Sequence, residues 1–98
     1  MSIHVDSIAN LKDAFPFAVA IVINNNRCFA YGDDAKVINT YLGYSVFNEQ
    51  RPTVSFPNGL VLMKVISVLE RQKVSYIIVE NYQIIKAFVY SAKQGGNI

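Results

Sequence analysis

Arg27, Cys28 and Phe29 follow a run of three asparagines, Asn24-Asn25-Asn26, and this segment carries the most suggestive side-chain chemistry in the chain. An arginine beside exposed amides suits contact with phosphates or a minor groove, with Asn25 and Asn26 as hydrogen-bond partners. The plainer reading is a hairpin turn with a solvated charge at a strand start. Phe29 is read either as an exposed stacking residue or as a core phenylalanine opposite Tyr31. Arg27 beside Cys28 could lower the thiol pKa and make a nucleophile. Strand neighbours point to opposite faces, however, and no histidine is near, so a core thiol is expected. Asp33-Asp34 is the other cluster. Adjacent helical residues point about 100° apart, so these carboxylates do not converge on one ion. With His4 isolated, capping of a helix start is the expectation. No catalytic set, metal site or cofactor is expected.

Two further groups carry charge or aromatic surface. Lys64, Arg71 and Lys73 could form a basic stripe, but Glu70 interrupts it. Tyr76, Tyr82 and Tyr90 with Lys86 could form a sheet face for single strands. The alternation of Ile84, Lys86, Phe88 and Tyr90 supports one polar-leaning face. Residues 82–90 equally suit an edge strand that pairs with another chain.

The elements that must position these groups follow from periodicity and turn chemistry. Asp6 or Ser7 can cap a helix over 8–14, ended by Pro16. Residues 17–23 are apolar and rich in β-branched types, which predicts a buried strand. Asn24-Asn25-Asn26 supplies a turn, and 27–31 returns as the second arm of a hairpin. Gly32-Asp33-Asp34 opens a helix with Ala35, Ile38, Asn39 and Leu42 at helical spacing, closed by Gly43. Short strands are expected over 44–47 and 53–56, around a polar loop. Pro57-Asn58-Gly59 then starts a helix to about Gln72. Its apolar face is Leu62, Val65, Ile66 and Leu69, widened by Val61 and Val68, so it is read as largely buried or covered by a partner. Strands over 74–79 and 83–92 close the chain.

The expected class is α+β: a mixed sheet of about five or six strands with two or three packed helices. At 98 residues one domain is expected, over 1–92, with a flexible tail over 93–98. A hydrophobic fraction of 52% against 16% charged residues excludes a disordered chain. No apolar run reaches the roughly 18 residues of a membrane span. One cysteine and an N-terminus without a signal core point to a reducing cytoplasm. A net charge of +2 permits nucleic-acid binding without indicating it.

The order of signals over residues 31–80 resembles the N-terminal, mismatch-reading domain of the MutS DNA mismatch-repair family. Tyr31, Asp34 and Ala35 are similar to its Phe-x-x-Asp-Ala step. Leu42-Gly43 looks like its helix end, and Pro52 and Pro57 match its proline pair in spacing. Residues 68–80 look like its closing helix-to-strand segment. The likeness covers about 17–80, and its specificity lies in shared order and spacing. The resemblance implies the family's fold and contact with double-stranded DNA. The family's Phe-Tyr-Glu reading triplet is Arg27-Cys28-Phe29 here, so the Phe and Glu that read a mismatch are not in register. No Gly-x-x-x-x-Gly-Lys-Ser/Thr segment is present, and the chain is read as a stand-alone domain without the family's ATPase.

Two functions follow as expectations. The first is a non-catalytic DNA-binding module related to DNA repair, acting through Asn25, Asn26, Arg27 and Phe29. The second is a protein-protein or homodimerisation module of the same fold.

Overall fold

Residues 19–23, Val-Ala-Ile-Val-Ile, carry no polar side chain, so a strand made of them must be covered on both faces. A computed structural model, describing residues 12–90, places them in β1 (Val19–Asn24) at the centre of a five-stranded mixed sheet. The other elements are β2 (Arg27–Tyr31), α1 (Asp33–Leu42), β3 (Thr53–Pro57), α2 (Leu60–Arg71), β4 (Tyr76–Glu80) and β5 (Gln83–Phe88). The strand order is β3-β2-β1-β4-β5. β1 runs parallel to β4, and the other neighbours are antiparallel. The class is α+β, as the sequence predicts. The expected helix over 8–14 falls mostly outside the described residues, and so does the tail over 93–98.

Alternation along the strands sorts the core into two layers. Val19, Ile21, Ile23, Cys28, Ala30, Val54, Phe56, Tyr76 and Ile78 face Ala35 and Ile38 of α1 and Leu62, Val65 and Leu69 of α2. On the opposite face Ala18, Ala20, Val22, Ile77 and Val79 pack with Phe15, Tyr31 and Ile84. Phe17 lies outside both layers and is 68% exposed, because the strand starts two residues later than the apolar run.

The turns follow their residues. Asn25 takes φ 59° in the β1–β2 hairpin, within reach of asparagine. Gly43 ends α1 at φ 75°, where its N–H donates to the Asn39 carbonyl at 2.8 Å. The expected strand over 44–47 is reduced to one bridge, Phe47 with Thr53, whose two backbone bonds are 2.9 Å each. β5 ends at Phe88, and its pairing with β4 slips by one residue between Ile78 and Val79. That bulge sets Ile84 opposite Val79 and Lys86 opposite Ile78, on different faces, so the expected Ile84–Lys86 alternation does not make one surface.

Asp34 has another role than the capping expected of it. Gly32 occupies the N-cap position, and no side chain caps α1. Asp34 is buried, and its Oδ2 accepts from the backbone N–H of Ala20 at 3.1 Å. Lys12 Nζ donates to the same carboxylate at 2.8 and 3.0 Å. The β1–β2 ladder begins at Val22, so the carboxylate takes the place a strand carbonyl would have beside Ala20. Asp33 points to solvent, 3.8 Å from Lys36, and the two acids do not converge. Among the described residues no group of three His, Cys, Asp or Glu side chains could hold a metal ion.

Candidate nucleic-acid interface

β2 begins directly after the Asn turn, and its side chains alternate. Cys28 and Ala30 point to the helices, which leaves Arg27, Phe29 and Tyr31 on the other face. The Phe29 and Tyr31 rings are 6.3 Å apart and 6° from parallel. Phe29 is half-buried and joins neither core layer, so it is not opposite Tyr31 but beside it on the same face. Arg27 lies at one end of this pair, exposed, with Nε donating to the Ser55 hydroxyl at 2.9 Å. Arg51 lies near the other end: burial raises the Tyr31 pKa, and the Arg51 charge acts against that rise. The aromatic pair thus has Arg27 on its own face at one end and, at the other, Arg51 two residues before Thr53, the strand partner of Tyr31.

The turn beside Arg27 is tied down by backbone contacts. Asn58 donates its N–H to the Asn26 carbonyl at 2.9 Å and its side-chain amide to the Asn25 carbonyl at 3.2 Å. The side chains of Asn25 and Asn26 are exposed. Arg27 and Phe29 thus share one face of β2, and the exposed Asn25 and Asn26 lie in the turn that leads into it. Arg51 and Tyr31 extend that surface. The i, i+2 spacing of Arg27, Phe29 and Tyr31 carried the signal for Tyr31, whereas Arg51 sits in a polar loop with no periodicity to reveal it.

The other candidates separate. Tyr76 is fully buried on the helix side, its hydroxyl donating to Glu70, and both burial and that carboxylate raise its pKa. Tyr90 lies under Lys73, 5.6 Å from Nζ to the ring centre. Tyr82 sits in the β4–β5 turn at φ 62°. Lys86, opposite Ile78, shares the helix-side face with Tyr76, but that ring is buried beneath α2, so the three tyrosines and Lys86 do not form one exposed aromatic surface. Lys64 and Arg71 are exposed on α2, and Glu70 between them is bound by Tyr76.

Cys28 is buried beneath the helices, as a core thiol should be. Burial pushes its pKa from 9.0 up to about 11, with Arg27 opposing and Glu80 adding. The folded protein is expected to resist a thiol reagent at pH 8 and to react once urea unfolds it. Because the folded state holds the proton more tightly, this contribution to stability is complete below pH 9 and lost as pH rises through about 11.

No helix among the described residues is long and apolar enough to cross a membrane. Compared with protein-family models and with curated proteins, the chain matches none.

Proposed function

We propose that the chain is a non-catalytic DNA-binding module on a scaffold like the MutS N-terminal domain, working in a reducing cytoplasm and related to DNA repair. The observation that carries this reading is the β2 face, where Arg27, Phe29 and Tyr31 lie side by side with the two rings parallel, outside the helix-covered core. Arginines bind phosphates, and a half-exposed ring beside one offers a stacking surface. Asn25 and Asn26 add amides at the edge of that face. Without a Phe and Glu in the reading register, the contact is with backbone and groove rather than with one mismatched base.

The test is fluorescence anisotropy with matched, mismatched and single-stranded oligonucleotides at two salt concentrations. Binding is expected to weaken with salt as phosphate counterions are released. Arg27→Ala is expected to weaken binding to all sequences alike and to reduce the salt slope by about one. Absence of binding at low salt sinks the reading, and an unchanged slope removes Arg27 from the site.

A second reading, association with a protein or a second copy, is favoured by exposed apolar residues on α2 and β5. Leu60 is 83% exposed, Met63 65% and Ile85 54%. Sedimentation separates the two: a monomer at high concentration counts against self-association.

A further inference from the structure

We infer that the cleft at the outer edge of β3 is a pocket for one unstacked nucleobase, a reading that rests on the nucleic-acid function proposed above and specifies what that interface takes. The cleft is lined by Tyr44, Ser45, Ser55, Phe56, Pro57 and Val61, among others. It exists because the chain after α1 splays away from β3. Asn39 holds the Tyr44 carbonyl through its side-chain amide at 2.8 Å, and backbone pairing with β3 is made only further on, at Phe47 and Thr53.

The hydrogen-bonding character of the cleft follows from strand alternation. Thr53 exchanges both backbone bonds with Phe47 on the outer side. Two residues on, Ser55 must turn its N–H and C=O the same way. Among the described residues no backbone bond reaches them. The next outward position is Pro57, which has no N–H to offer. An added peptide strand would therefore meet the Phe47 bridge at one end and a proline at the other, with a single residue left to pair. A strand does not fit. A planar group with one donor beside one acceptor does, and every nucleobase carries such an edge.

The walls and the neighbouring charge suit the same ligand. The half-buried Tyr44 ring, backed at 5.8 Å by the core ring of Phe56, is the aromatic wall against which a base can stack. Arg27 stands opposite Pro57 on the adjacent strand, with its side chain on the face away from the helices, where it reaches Ser55 at the rim of the cleft. Its Nε is engaged by Ser55, which leaves the terminal guanidinium nitrogens for a phosphate. One nucleotide can thus set its phosphate on Arg27 and its base in the cleft. Unpairing and unstacking cost least where a base is already unpaired, so the pocket selects extrahelical or single-stranded bases rather than a sequence.

Two measurements test the pocket apart from the DNA reading. In the first, adenosine 5′-monophosphate is titrated into the labelled protein and amide shifts are followed by NMR. Shifts are expected at Ser45, Ser55 and Val61, and their loss in Tyr44→Ala and in Ser45→Phe, which fills the cleft from an exposed position. In the second, a duplex with one bulged base is compared with the matched duplex. The bulged duplex is expected to bind about tenfold tighter, the size of one stacked base, and both variants to remove that preference. Unmoved amides overturn the pocket even if duplex binding stands, and so does a preference that survives Ser45→Phe. Shifts with the nucleotide but no binding to any duplex keep the pocket and overturn the DNA module.

Discussion

Asp34→Ala is expected to destabilise the protein by about 2–4 kcal/mol, far more than loss of a surface charge. The size comes from what the carboxylate leaves behind. Ala20 is 1% exposed, and its N–H has no β2 carbonyl to bond because that ladder starts at Val22. A buried donor left without a partner costs roughly 1–3 kcal/mol. The ion pair adds less, since the Lys12 side chain is 25% exposed and its ammonium can return to water. Asp34→Asn keeps an acceptor for Ala20 and loses the charge, so about half the effect is expected. Urea unfolding measures both, read as a shift in midpoint at unchanged m. If alanine costs under about 0.5 kcal/mol, a typical surface value, the carboxylate does not hold Ala20 in solution.

Phe29→Ala is expected to separate binding from stability. A core phenylalanine such as Phe56, 2% exposed, should cost about 3–5 kcal/mol when cut to alanine. Phe29 belongs to neither core layer and keeps one aromatic neighbour, Tyr31, so a cost of about 1 kcal/mol is expected from the lost ring contact. Its effect on DNA should be larger in proportion, about tenfold in Kd, because one stacked base is worth about 1–3 kcal/mol. Anisotropy with a single-stranded oligonucleotide, alongside urea unfolding of both variants, makes the comparison. Should Phe29→Ala unfold the protein as readily as Phe56→Ala, the ring is core and the interface loses its stacking element.

Much of the scaffold was legible because local signals agreed with the tertiary structure. The apolar run at 17–23 reads as a buried strand, two residues longer at its start than β1, Asn24 to Asn26 as a turn, and Leu62, Val65 and Leu69 as part of the apolar face of a helix. Tyr76 was misread because a tyrosine on a strand has the same signature whether it faces solvent or a helix. Only the position of Glu70, six residues earlier on α2, gives its hydroxyl a partner. The β5 alternation failed for a different reason: a one-residue bulge at Ile78/Val79 leaves composition unchanged and moves Lys86 to the other face. The role of Asp34 was hidden because its partners, Lys12 and Ala20, are distant in sequence. In the candidate site, Asn25, Asn26, Arg27 and Phe29 could be found by their order along one hairpin. Arg51 and the Ser55 cleft arise from the approach of β3 and its flanking loop to β2, a pairing no local pattern encodes.

The parallel pairing of β1 with β4 also governs the order of assembly. β1 and β2 can close at once through a short turn, but Val19 meets Tyr76 only after both helices and β3 have been made. Until then one side of the most apolar strand is an open edge, and local hairpins form long before such distant contacts. A nascent or clipped chain that lacks residues 76–80 therefore presents a sticky half-sheet to its surroundings. In the folded protein β4 covers that edge of β1.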